Sequence, residues 1–296
     1  MRIGSVSPFI LSVALLSACS TTHSNTVAEH ADHESVSPSG GPVAQTAALP
    51  ADADNARARL NASPRHGEWV MVSAGSDSVR VYLVYPERKT KAPVVVVVHE
   101  IFGLSPWVRA VADQLAADGF IAIAPDLLTS KNLPNPTDSV PSQLATAAIR
   151  TLDMNDVHRQ ISAAANYAMA LPSAVRKYGI VGYCWGGGVS FEHAVRSPSL
   201  GAAVVYYGVS PATASLAAVK APVLGLYGGN DARVDATIPP ADTAMKALGK
   251  TYEPHIYEGA GHGFLRQQSG QNGANLTAAQ QAWPATIAWF RKYLGK

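Results

Sequence analysis

Gly182-Tyr183-Cys184-Trp185-Gly186-Gly187-Gly188 decides the reading of this chain. The segment lies where the apolar run Tyr178–Tyr183 gives way to a helical pattern over Gly186–Arg196. A chain that leaves a buried strand through a sharp turn into a helix strains the turn's central residue and lifts its side chain above the sheet. Glycines two residues before and two after that residue keep side chains out of the bend. Cys184 is thus expected at the tip, at a helix N-terminus whose dipole favours an anion. The backbone N–H of Trp185 points the same way and can serve an oxyanion. The bland alternative is a small buried cysteine among packing glycines. The strand-to-helix position, with suitable partners further on, favours a nucleophile.

Those partners are Asp231 and His262. Asp231 follows the strand pattern Val223–Tyr227 through Gly228-Gly229-Asn230, and His262 follows Glu253–Tyr257 inside Gly259-Ala260-Gly261-His262-Gly263. Nucleophile, acid, base is the chain order of α/β-hydrolase triads. Imidazole accepts the nucleophile's proton, and the carboxylate fixes the tautomer and stabilises the imidazolium. Asp235 is a rival acid, and Asp231 could simply form the Gly-Asn-Asp turn. His255 falls within a strand and reads as structural; His99, His158 and His193 lack the loop context.

Upstream, Val94–Val98 is an unbroken β-branched run, as suits a strand buried on both faces. The loop after it is His99-Glu100-Ile101-Phe102-Gly103. Its Ile101 N–H is expected to be the second oxyanion donor. Glu100 is expected to be partly desolvated, with a raised pKa; its plain alternative is a buried carboxylate paired with an arginine such as Arg109. A zinc helix would need His at position 103, where Gly103 stands, so no metal is expected, and no cofactor either.

Around these sites strand and helix patterns alternate. Trp69–Ser73 and Ser78–Tyr85 form an antiparallel start. Helices are expected from Ser105-Pro106 to about Asp118, over 142–152 and 154–171, over Pro240–Leu248, and over Thr277–Leu294 with a bend at Pro284. Phe120–Ala124 and Ala202–Tyr207 complete the strands. Pro125–Pro141, with four prolines, is a long irregular loop of the kind that often covers a site. The fold class is α/β, an α/β-hydrolase fold: a mostly parallel sheet with helices on both faces and a site beyond the strands' carboxyl ends.

Composition limits the partners. The 296 residues are 47% hydrophobic and 15% charged, with a net charge of +2, which gives no basis for binding nucleic acid. Of 22 Phe, Trp and Tyr residues only Phe9 precedes residue 67, so one folded domain is expected over 67–296. Two cysteines exclude a disulfide framework. Arg2, the apolar stretch from Pro8 to Leu16 and the small residues after it read as a secretory signal over 1–18, too short to span a bilayer. Leu16-Ser17-Ala18-Cys19 resembles the lipobox of bacterial lipoproteins. That resemblance implies cleavage before Cys19, lipidation of Cys19 and, with Ser20 next, an anchor on the periplasmic face of the outer membrane. The alternative is an ordinary cut near Ala18 and a free periplasmic protein. Residues 19–66, polar and rich in Ala and Pro, read as a flexible linker; a metal site at His23, His30 and His33 would lack an ordered scaffold.

Together, His99–Gly103, Gly182–Gly187, Gly229-Asn230-Asp231 and Gly261-His262-Gly263-Phe264 resemble the dienelactone hydrolase family over residues 67–296. The resemblance implies Cys184 as nucleophile, His262 as base, Asp231 as its orienter, and Glu100 as the carboxylate that helps form the thiolate when substrate binds. The family's type enzyme holds a substrate carboxylate with two arginines. Arg266 matches one; no arginine stands near Ser142, where the other is expected, and Arg150 is nearest. That departure, and an envelope location, argue against a muconate-type lactone as the substrate. Phe102, Trp107 and Trp185 are expected to line the pocket with the loop Pro125–Pro141.

A cysteine nucleophile narrows the chemistry. A thiolate whose acid has a pKa of about 8.5 leaves a tetrahedral intermediate before an alkoxide does. Simple alkyl esters therefore fall back, whereas enol lactones, activated esters and thioesters go forward. The expected activity is hydrolysis of such a small molecule through an acyl-cysteine intermediate. The rival reading is a non-catalytic envelope lipoprotein that uses the fold as a binding module; a thiol sensor would lack a resolving cysteine in the domain.

Overall fold

The computed structural model describes residues 49–295. The expected signal peptide, Cys19 and most of the linker lie outside these residues. The strands are β1 (Gly67–Ala74), β2 (Asp77–Val84), β3 (Ala92–Val98), β4 (Ile121–Pro125), β5 (Ala174–Tyr183), β6 (Ala202–Tyr206), β7 (Val223–Asn230) and β8 (Tyr252–Gly261). The helices are α1 (Ala56–Asn61), α2 (Pro106–Ala117), α3 (Ser142–Ile149), α4 (Met154–Ala170), α5 (Trp185–Arg196), α6 (Ala232–Asp235), α7 (Ile238–Ala247) and α8 (Ala274–Leu294).

The strands form one sheet in the order β1-β2-β4-β3-β5-β6-β7-β8. β2 is antiparallel to both β1 and β4, and every other pairing is parallel. This is the α/β-hydrolase architecture expected from the sequence. β3 shows why the valine run reads as it does. Val95 and Val97 join a core with α2 and α8, whereas Val94, Val96 and Val98 join a second core with α4, α5 and α7. After β3 the chain steps to β4 on one side and later to β5 on the other. The reversal opens a crevice at the carboxyl ends of β3 and β5, where such folds place ligands.

The amino-terminal boundary differs from the expectation. The linker was expected to run to residue 66, but residues 49–66 belong to the folded unit. Leu49, Ala51 and Ala56 are buried in the α2–α8 core. Trp107 Nε1 donates to the Ala51 carbonyl at 2.9 Å, and Arg65 forks onto Asp113. Aromatic-poor composition hid this segment: alanines fill shallow hollows without a periodic apolar stripe, and polar contacts hold the rest.

On the opposite face, α4 and α5 meet through a buried polar chain. His158 Nδ1 lies 3.1 Å from His193 Nδ1, and His193 Nε2 lies 3.0 Å from the Tyr178 hydroxyl. Burial pushes His158 down to about 4 and His193 to about 3, so both rings are neutral at neutral pH.

Candidate active site

Cys184 caps α5 at φ 57°, ψ −117°. A non-glycine residue in such a region costs of order 1–3 kcal/mol and persists only where its surroundings force it. The forcing elements are visible. Cys184 N donates to Tyr206 O on β6, and the N–H groups of Gly187 and Gly188 return to Cys184 O. A Cβ on Gly182 would stand 1.9 Å from Gly186 O, and one on Gly186 would stand 2.4 Å from His99 O. The two glycines are therefore required by close backbone approach between β5, α5 and the loop after β3.

The backbone N–H groups of Ile101 and Trp185 lie on the Cys184 side of the pocket and favour its thiolate. Burial first, then the nearby Glu100 charge, raises the thiol's pKa, and these two N–H groups and Arg233 work the other way. Cys184 shares its pocket with Glu100, Ile101, Trp185 and His262. Among the described residues it makes no hydrogen bond with the His262 ring.

Glu100 is almost wholly buried, with its carboxyl pushed up to about 7 by loss of water and held back by Arg266. The partner is thus Arg266 rather than Arg109. Arg109 instead reaches the Asp138 carbonyl and lies over the Trp69 and Tyr82 rings. Arg266 also lies over the Phe102 ring at 5.0 Å. His99 braces the same loop: it lies 2.8 Å from the Glu100 carbonyl through Nδ1, accepts from Leu127 N at Nε2, and stacks on Trp185.

His262 begins the loop after β8, and its Nδ1 lies 2.5 Å from Asp231 Oδ2, at the carboxyl end of β7. The loop is held from two directions. Asn275 accepts from Gly261 N and donates to Gln267 O. The 49–55 segment holds the other side: Ala53 N donates to Arg266 O at 3.0 Å, Gln268 N to Asp52 Oδ2 at 2.8 Å, and Gln268 Nε2 to Pro50 O.

Cys184, His262, Glu100, Ile101, Phe102, Trp185 and Arg266 line one pocket of about 730 Å³. That is ample for a drug-sized ligand. Two expectations about its walls are corrected. Trp107 is buried in the core, edge-on to Tyr183, and does not reach the pocket. The loop Pro125–Pro141 is also absent from the walls; Leu128, Leu133 and Val140 pack with α3 behind Ile101 and Trp185. Its place is taken by Val209, Ser210 and Pro211, after β6, with Met154 and Val189. Arg150 is exposed at the end of α3, outside the pocket, whereas Arg233 of α6 lines it. Arg233 was legible only by position, two residues beyond Asp231 in a loop at a strand's carboxyl end.

The sheet order, the strained elbow and the paired His262 and Asp231 place the chain among the α/β-hydrolases. Comparison with known proteins sharpens that class. The model of the Dienelactone hydrolase family matches residues 79–294. A Salmonella typhimurium protein with the provisional name carboxymethylenebutenolidase is 31% identical over 237 residues, covering 76% of this chain and 87% of its own. A Bradyrhizobium protein provisionally named 2-oxo-3-(5-oxofuran-2-ylidene)propanoate lactonase is 31% identical over 242 residues, covering 77% and 94%. A dienelactone hydrolase structure from Anabaena variabilis superposes with a TM-score of 0.60 at 26% identity, covering 78% of this chain and 99% of the other. This chain belongs to the dienelactone hydrolase family, and it is a hydrolase of that type.

Proposed function

We propose that the protein hydrolyses an activated ester, enol lactone or thioester through Cys184. The observation that carries this reading is the strained elbow, which places Cys184 in the pocket that Ile101, Trp185 and His262 also line.

At rest the thiol is neutral and Glu100 is partnered by Arg266. A substrate carboxylate that engages Arg266 draws that cation from Glu100. Without the cation the Glu100 carboxyl rises above its resting value and becomes base enough to take the thiol proton. The thiolate then turns to the His262 side and attacks the carbonyl carbon. The carbonyl oxygen becomes an oxyanion between the Ile101 and Trp185 N–H groups. The intermediate collapses by breaking the bond to the leaving oxygen or sulfur, which leaves with the proton that Glu100 took from the thiol. Water, deprotonated by His262, attacks the acyl-cysteine; the C–S bond breaks, the acid is freed, and the departing thiolate takes the proton back from the His262 imidazolium, which restores the resting site. Asp231 holds the His262 tautomer and balances its positive form.

Carboxymethylenebutenolidase and lactonase names among the relatives support a lactone or ester substrate. The test is turnover of enol lactones, aryl esters and acyl thioesters by the purified chain and by Cys184→Ala. Cys184-dependent release of acid supports the reading; equal turnover by the variant refutes it.

We further propose that the chain is tethered to the outer membrane through lipidated Cys19, on the strength of Leu16-Ser17-Ala18-Cys19. Incorporation of labelled fatty acid, lost in Cys19→Ser, tests the anchor.

A further inference from the structure

The pocket holds two arginines, and they differ in what already binds them. Arg266 meets Glu100 and the Phe102 ring. Arg233 lines the same pocket, is exposed to solvent, and has no ion-pair partner among the described residues. Its charge reaches the reacting sulfur, since it favours the Cys184 thiolate. Glu192, the remaining carboxylate of the pocket besides Glu100, is occupied by Arg196 through two guanidinium nitrogens.

The two cations enter the pocket from different loops. Arg266, in the loop after β8, reaches Glu100 and Phe102, which follow β3, the neighbour of β5 on one side. Arg233 belongs to α6, after β7, which lies beyond β6 on the other side. With Arg266 engaged by Glu100 and Phe102, Arg233 is, among the described residues, the pocket guanidinium left open to a further anion.

Resting on the hydrolase reading above, we propose that Arg233 is an anion-binding, specificity-determining residue. The preferred substrate is then an activated ester or lactone with a negative group on each side of the scissile carbonyl. One anion engages Arg266 and releases Glu100; the other is held by Arg233. A guanidinium suits this role because it stays charged and can bind a carboxylate through two parallel N–H bonds. The apolar lining of the same pocket, from Val189, Val209, Pro211 and Trp185, suits the carbon skeleton linking the two anions.

The test uses four aryl esters of one acyl length: 4-nitrophenyl hexanoate, 4-nitrophenyl hydrogen adipate, 4-carboxyphenyl hexanoate and 4-carboxyphenyl hydrogen adipate. Each is assayed with the full chain, Arg233→Gln and Arg233→Lys. The nitrophenyl pair gives the effect of a single carboxylate. In the wild type, going from 4-carboxyphenyl hexanoate to 4-carboxyphenyl hydrogen adipate, which adds the second carboxylate at a fixed leaving group, should raise kcat/KM about tenfold, the scale of one charge-assisted contact. That gain should vanish in Arg233→Gln, chiefly through KM, and partly return in Arg233→Lys. A second-carboxylate gain of equal size in Arg233→Gln, or no gain in the wild type, overturns the inference while Cys184-dependent turnover stands. Failure of the wild type to hydrolyse any of the four esters counts against the hydrolase reading, and this inference falls with it.

Discussion

Arg266 Nε stands 3.1 Å from Glu100 Oε2, yet neither atom has a hydrogen-bond partner, because the contact is misaligned for one. The pair is held by charge in a buried place, and a competing carboxylate loses little by pulling it apart. On the proposed mechanism, Glu100 is the titratable group on which the pH dependence turns. Arg266→Gln should raise the Glu100 pKa above about 7, since Arg266 opposes the effect of burial. The acid limb of kcat/KM should shift to higher pH, and the preference for carboxylate-bearing esters should fall. An unchanged limb would separate Glu100 from thiolate formation.

The same carboxyl weakens the fold. Its pKa is raised in the folded state, so stability is greatest below the unfolded value near 4.5 and is lost as pH rises to about 7. Glu100→Gln removes that loss. At pH 8 the variant should be more stable by roughly 3 to 4 kcal/mol, as expected for a shift of this size, and nearly inactive. Denaturant melts at pH 5 and pH 8 measure this difference.

Strain at the elbow makes a related prediction. Cys184→Gly should raise the melting temperature while abolishing turnover, because glycine adopts φ 57° freely. Gly186→Ala should destabilise by about 3 kcal/mol or more, as its methyl would meet two backbone carbonyls. Thermal melts of both variants decide.

Removal of residues 49–66 from the full chain should lower stability and reduce kcat/KM on carboxylate-bearing esters. The deletion frees the Arg266 carbonyl and Gln268 from their partners and strips Asp113 of Arg65. Asp52→Ala should show a milder form of the kinetic effect. Kinetics that do not change on deletion would reduce the segment to a passive cover.

The His158–His193 pair predicts acid sensitivity. Both pKa values are depressed by burial, so the unfolded chain takes up protons first as pH falls below about 6.5. Stability should drop by roughly 2 kcal/mol per ring, about 4 for the pair, by pH 5. His193→Gln should flatten the drop, which melts across pH 5–8 measure.

The sheet was readable because its signals are local. The Val94–Val98 run, the Ser105-Pro106 helix start and the glycine-flanked Cys184 each state their own conformation. Site placement was readable only where a strand end dictates it, as for Glu100, Asp231 and His262. Trp107 illustrates the limit: a tryptophan one turn beyond the Glu100 loop reads as a pocket wall, but the helix turns its ring toward Ala51 and Tyr183. Residues 49–66 were illegible because their hydrogen-bond partners, Gln114, Arg266 and Gln268 among them, lie far away in sequence.

Catalysis through Cys184 requires a covalent acyl group on its sulfur. Rapid quenching of the enzyme with an excess of a slowly hydrolysed aryl ester, followed by peptide mass spectrometry, looks for it directly. The acyl mass is expected on the peptide containing Cys184, and more of it in His262→Gln, where deacylation is slowed. Burst release of the phenol with the acyl mass on another residue, or full turnover by Cys184→Ala, would contradict it.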